Sequence, residues 1–181
     1  SYTASDVSGF YEISFSSDGE IIAAVGTATG SCCKGQVYLF DKDSSTPLWS
    51  YETKGWAVTV SVSGSGDYIA VGCSQYTGDS YERLYFFGKS SSTPLWSYNN
   101  NGDIRTVDIS ADGEYIVIGT DGVTSSGAGG IRLFDKDSST PLWTYSIQSY
   151  YMRDVSISAD GKYIAAGSNN GEVYLFDKIS N

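Results

Sequence analysis

The 181 residues allow one domain or one closed set of repeats, and 40% apolar against 18% charged residues, with 21 Gly and 15 Tyr, exclude a disordered chain. Eleven Lys and Arg stand against 21 Asp and Glu, a net charge of −10 with no basic cluster, which excludes nucleic acid as a partner. Histidine is absent, removing the commonest general base and transition-metal ligand, and no apolar run approaches the ~18 residues of a membrane helix, so neither a metal centre nor membrane insertion is expected.

From the N-terminus, Ser1–Phe10 lacks the charged-then-apolar layout of a signal peptide. The segment Asp41–Tyr51 then returns as Gly88–Tyr98 and as Asp135–Tyr145, with Ser-Ser-Thr-Pro-Leu-Trp common to all three. Trp49, Trp96 and Trp143 are 47 residues apart, and the turn glycines Gly19, Gly66, Gly113 and Gly161 are spaced 47, 47 and 48. Four copies are therefore present in a single domain, residues 1–181, as 8–53, 54–100, 101–147, and 148–181 together with 1–7.

The third copy displays the local signals. Thr106–Ser110 alternates, Ala111-Asp112-Gly113 is a tight turn, and Tyr115–Gly119 is apolar on both faces. A variable Gly/Ser-rich loop precedes Ile131–Asp135, and a polar turn leads to Pro141–Tyr145. Each segment has strand length and none is helical. Strands apolar on both faces need cover on both, which radial stacking of small sheets supplies. The predicted fold is all-β: a β-propeller of four repeats of about 47 residues, each a four-stranded antiparallel blade.

The inner pair of strands, as in Val155–Gly167, resembles WD-repeat propellers without their Gly-His and Trp-Asp signatures. The outer pair is closer to another group. Leu39–Trp49 is similar to the eleven-residue tryptophan-docking motif of pyrroloquinoline-quinone-like (PQQ-like) propellers, with Asp41 at its acidic place and Trp49 at its end; Ser45 stands where the motif prefers Gly, and Gly88 replaces the acid in the second copy. The resemblance implies that Trp49, Trp96 and Trp143 dock between neighbouring blades, as large aromatics at fixed period also suggest. Members of that group typically have seven or eight blades.

The fourth copy runs through Glu172–Lys178 and stops at Asn181 before any Thr-Pro-Leu-Trp segment. Because Ser1-Tyr2-Thr3 resembles Ser50-Tyr51-Glu52-Thr53, the N-terminal strand is expected to complete the last blade and cover an exposed edge. Either one chain closes a four-bladed ring, or two chains exchange terminal strands in an eight-bladed homo-oligomer.

Function is sought where the copies diverge. Residues 27–35, 74–82, 120–130 and 168–171 vary, and they share a face with the crossings between blades at 52–57, 99–104 and 147–152. Trp56, Tyr76, Tyr81, Tyr150 and Tyr151 fall there, with Arg105 and Arg153 at the starts of inner strands, a mixture suited to binding a protein or glycan. Asp41, Asp43, Ser45 and Glu52 mimic a calcium loop poorly: Pro47 interrupts, and Ser146 replaces the final acid in the third copy. Cys32, Cys33 and Cys73 leave three readings open: free thiols, which is the default, a bridge from Cys73 to Cys32 or Cys33, or a bridge between the adjacent pair as in some PQQ-dependent dehydrogenases. Glu12, Asp108 and Asp154 could face a central channel, where solvated lining is the expected role. With no catalytic motif and no cofactor site in view, the expectation is a non-catalytic binding or assembly module, secreted or at the cell surface. The alternatives are a fragment of a PQQ-type quinoprotein oxidoreductase and an engineered or excised repeat array.

Overall fold

The computed structural model describes residues 1–30, 33–74, 83–100, 102–121, 129–147 and 150–178. Fifteen strands form four antiparallel sheets, and no helix occurs among the described residues. Blade 1 is β1 (Val7–Phe15), β2 (Ile21–Ala28), β3 (Gly35–Asp41) and β4 (Trp49–Thr53). Blade 2 is β5 (Trp56–Val62), β6 (Tyr68–Ser74), β7 (Leu84–Gly88) and β8 (Trp96–Tyr98). Blade 3 is β9 (Ile104–Ile109), β10 (Tyr115–Thr120), β11 (Gly129–Asp135) and β12 (Trp143–Ile147). Blade 4 is β13 (Met152–Ile157), β14 (Tyr163–Ser168) and β15 (Val173–Asp177). Strands follow chain order within every sheet, the meander of a propeller blade.

Each inner hairpin is set by a serine that bonds the turn, with an Asp partner in blades 1, 3 and 4 and Ser65 in blade 2. In blade 3, Ser110 Oγ donates to Asp112 Oδ1 at 2.6 Å and accepts the Tyr115 N–H at 3.0 Å, and Gly113 follows at φ +76°, where a Cβ is unwelcome. The turns at Gly19, Gly66 and Gly161 repeat this positive φ, at +73°, +76° and +68°.

The core lies between blades rather than within one. Ile21, Val25 and Leu39 of blade 1 meet Val60, Ile69, Val71 and Phe87 of blade 2. Leu84 and Phe86 meet Val107, Ile116 and Phe134 across the next gap, and Ile131 and Leu133 meet Val155, Ile157 and Ile164 across the third. The middle strands of blades 2 and 3, β6 and β10, are buried on both faces, the reason their sequences show no alternation, whereas β14 of blade 4 alternates between exposed and buried. Cys73 is a buried thiol in the first gap, outside any disulfide, and burial pushes it up to about 12. Cys32 lies outside the described residues, so the pairing of the adjacent cysteines is not described either.

Trp49 donates from Nε1 to the Lys89 carbonyl at 2.8 Å, Trp96 to Lys136 at 2.6 Å and Trp143 to Lys178 at 3.1 Å, so each indole is tied to the next blade. Trp96 also stacks between Phe86 and Phe134, at 5.0 and 5.7 Å between ring centroids.

The N-terminal residues correct one expectation. The fourth sheet has three strands, and Ser1–Asp6 does not join β15 but lies on blade 1. Tyr2 packs on Tyr38 and Phe40 at 5.5 and 5.2 Å, the Tyr38 hydroxyl donates to the Asp6 carboxylate, and the Asp6 carbonyl accepts the Thr29 N–H at 2.8 Å. Burial and then Asp6 push the Tyr38 phenol well above its ordinary range. Within one chain, β1 packs on β5, β5 on β9 and β9 on β13, with no comparable packing of β13 on β1. The four blades thus form an open row.

Candidate functional site

Every inner strand carries a β-bulge near the loop-rich face. The register skips Tyr11 in β1, Val58 in β5, Arg105 in β9 and Arg153 in β13, which are equivalent positions of the repeat. A bulge re-aims one side chain out of the alternating pattern. Tyr11, Arg105 and Arg153 are accordingly exposed, although their neighbours Ile104 and Met152 are fully buried.

Arg105 and Arg153 converge on Tyr151. Their guanidinium carbons lie 5.7 and 4.8 Å from its ring centroid, a cation–π arrangement on one aromatic side chain. The fourth variable loop fixes the ring's backbone: the Tyr151 N–H donates to Asn169 Oδ1 at 2.9 Å, and its carbonyl accepts the Asn169 N–H at 3.1 Å.

Asp121 closes the floor. Its carboxylate is almost wholly buried, and Oδ2 accepts Nε and an Nη of Arg105 at 2.9 and 2.6 Å. This hydrogen bonding holds the Arg105 guanidinium protonated above its usual range. Oδ1 of Asp121 has no hydrogen-bond partner among the described residues. A second buried pair continues the network: Arg83 donates to Asp103, which also accepts Ser74 Oγ at 2.8 Å, and the Asp103 carbonyl accepts the Asp121 N–H at 2.9 Å. Arg105, Asp121, Tyr151, Met152 and Arg153 line a cavity of about 330 Å³. Arg105 is neutralised by Asp121, whereas Arg153 has no ion-pair partner among the described residues. The mouth therefore presents, among the described residues, one cation without an ion-pair partner on an aromatic ring, in a chain of net charge −10.

Of the residues singled out from sequence, the structure gathers Arg105, Tyr151 and Arg153. Tyr150 is exposed beside them, and Trp56 begins β5 in the repeat position of Tyr151, but neither lines the cavity. Tyr76 and Tyr81 lie outside the described residues. Asp121, Asp103 and Arg83 were missed. A signal for Asp121 existed, because its repeat equivalents Thr27, Ser74 and Asn169 form a polar column at the end of each second strand.

The inner-strand carboxylates are not mere solvated lining. Glu12 Oε2 accepts the Val60 N–H of the next blade at 2.7 Å, and Asp154 Oδ1 accepts Thr106 Oγ1 at 3.1 Å. Asp108 joins three blades: Oδ1 accepts Ser61 Oγ at 3.0 Å and its own strand's Ile109 N–H at 2.9 Å, and Oδ2 accepts Ser156 Oγ at 3.2 Å and Ile157 N–H at 2.9 Å. Among the described residues no three His, Cys, Asp or Glu side chains assemble a metal-binding group.

The family model described as PQQ_2, outer membrane protein assembly factor BamB, matches residues 7–181. No curated protein matches the chain.

Proposed function

The chain belongs to the PQQ_2 family of propellers, and on that premise we propose that it is a non-catalytic binding module, secreted or displayed at the cell surface, which takes a carboxylate-bearing protein segment on Arg105, Tyr151 and Arg153. The observation that carries this reading is the Arg153 guanidinium, without an ion-pair partner among the described residues and set on the Tyr151 ring at the mouth of a cavity whose other arginine is held by buried Asp121. Arginine and tyrosine dominate the energetics of protein recognition surfaces, because a rigid ring and a planar cation lose little freedom on binding. A cation within an acidic molecule also draws an acidic segment towards the place where it stands. The family description names an assembly factor for other proteins, which supports a protein rather than a glycan as the occupant.

The test uses acidic peptides and uronic-acid oligosaccharides as probes, titrated calorimetrically against the wild-type chain and against Arg153→Ala and Tyr151→Ala. Peptide binding that weakens at least about tenfold in each variant, with an unchanged melting temperature, is expected. Binding of neither probe, binding of oligosaccharides alone, or peptide binding that the variants leave intact overturns the proposal.

A further inference from the structure

We propose that two copies of this chain close into one eight-bladed ring, with Ser1–Thr3 of each copy adding the fourth strand to the last blade of the other.

Both ends of the row expose faces that the repeat buries elsewhere. On blade 4, Val173 and Leu175 are 81% and 75% exposed, whereas their equivalents Ile131 and Leu133 in blade 3 are fully covered by the following blade; Tyr163 is 54% exposed, whereas its equivalent Tyr115 is half-buried against that blade. On blade 1, Ile13 and Phe15 are 58% and 59% exposed, although their equivalents in the other three blades are buried. Neither face has a partner within the chain, since β13 does not return to β1 as the other inner strands pack on their neighbours.

The two faces also carry the matching halves of a repeated socket. A Cβ on Gly113 would lie 2.4 Å from the Tyr68 ring of the preceding blade, and one on Gly161 would lie 2.5 Å from the Tyr115 ring. Tyr163 is the next tyrosine of that series. Gly19 has the same turn conformation at φ +73° with nothing within 4 Å, a socket without its ring. Inner-strand hydrogen bonds repeat the theme: Glu12, Thr59 and Thr106 accept the N–H groups of Val60, Val107 and Val155 on the following blade. Asp154 is the fourth member of that column, and the N–H that completes the series is that of Ile13.

The N-terminal segment already stands in the place of a preceding blade's outer strand. Tyr2 meets Tyr38 and Phe40 at 5.5 and 5.2 Å with interplanar angles of 59° and 64°. Tyr51 meets Tyr85 and Phe87 at 5.6 and 5.2 Å with 58° and 66°, and Tyr145 meets Tyr174 and Phe176 at 5.5 and 5.1 Å with 55° and 60°. Ser1–Thr3 is therefore docked on blade 1 as β4 docks on blade 2, while β15 pairs on one edge only among the described residues. In the register of β3 with β4, where Val37 opposes Tyr51, Val173 of one copy would oppose Tyr2 of the other.

A second copy is the occupant because the two ends are complementary to each other and different from each other. An unrelated partner would cover one end and leave the other bare, whereas a two-fold copy covers both at once and closes the assembly. Eight blades also lie within the range that propellers reach.

Light scattering on the chain from about 1 to 200 µM tests the ring. Twice the chain mass is expected, with Leu175→Asp giving a folded monomer by circular dichroism because the change places a charge in the joint, raising the dissociation constant by about a hundredfold or more. Chains carrying Tyr2→Cys mixed with chains carrying Val173→Cys should form a covalent dimer on oxidation that neither variant forms alone. A monomeric mass throughout, a dimer unaffected by Leu175→Asp, or a Tyr2→Cys/Val173→Cys double variant that cross-links within one chain overturns the proposal.

Discussion

Replacing Asp108 by Ala should destabilise the fold more than replacing any other inner-strand carboxylate. Its two oxygens accept four hydrogen bonds from blades 2, 3 and 4, two from backbone N–H groups and two from serine hydroxyls. A bond to a charged acceptor contributes ~1.5–3 kcal/mol when buried, and partial exposure of Asp108 reduces this to about 1 kcal/mol for each backbone donor and ~0.5 kcal/mol for each hydroxyl. The loss is then about 3 kcal/mol, or roughly 6–12 °C in melting temperature for a chain of this size. Glu12→Ala is the control, because it removes one inter-blade bond, to the Val60 N–H, from an exposed carboxylate and should cost less than about 4 °C. Calorimetric melts of both variants at pH 7 decide the matter. Equal shifts would refute the reasoning, since they would mean that Asp108 lines solvent as Glu12 does and that its ties across three blades contribute nothing.

Gly113→Ala should lower the melting temperature by roughly 5 °C or more, because it combines an unfavourable φ with a 2.4 Å approach to the Tyr68 ring; Gly171→Ala has a similar φ of +85° but open space, and should cost about half as much or less. Equal losses would show that the socket exerts no steric constraint. The Ser158 hydroxyl and the Lys162 N–H hold the Asp160 carboxyl down to about 2 from 3.8. Because that value is depressed on folding, its stabilisation is present above pH ~4 and disappears as pH falls towards 2. The melting-temperature gap between wild type and Asp160→Asn should therefore close between pH 4 and pH 2, and a gap independent of pH would contradict the assignment.

The blade order, the inner turns and the docked tryptophans were legible because each is a local signal repeated at a fixed period. Trp96 and Gly113 mean little singly, but their recurrence at equivalent positions marks an element of the architecture. The roles of Asp108 and of Ser1–Thr3 were less legible for the opposite reason. Asp108 aligns with serines, so the period treats it as a departure, and only stacking shows that its longer side chain reaches two neighbouring blades. For Ser1–Thr3 the likeness to Ser50-Tyr51-Glu52 predicts an outer strand, and the structure shows instead an aromatic docking on blade 1 outside every sheet. What the likeness lacked was the direction of docking: Tyr2 is held by the blade that follows it, through Tyr38 and Phe40, and not by the sheet it would complete.

The candidate site shows how a repeat can vary function without disturbing its fold. In Ala57–Val60, Ile104–Val107 and Met152–Val155 the buried apolar positions are three apart, where a strand's alternation requires an even spacing. That odd step is the sequence mark of the bulge. It expels one residue per blade from the packed pattern, so Tyr11, Val58, Arg105 and Arg153 can differ while Val60, Val107 and Val155 remain in the core. Two consecutive blades place arginine at the expelled position, and the intervening crossing supplies Tyr151 between them. Asp121 then fixes one arginine and leaves the other to act, which is an asymmetry that identical repeats could not produce. Recognition here is accordingly expected to move with the bulge residues: Val58→Arg should leave the fold unchanged yet create no second site, because Asp103 stands where Tyr151 supplies the ring between the two arginines.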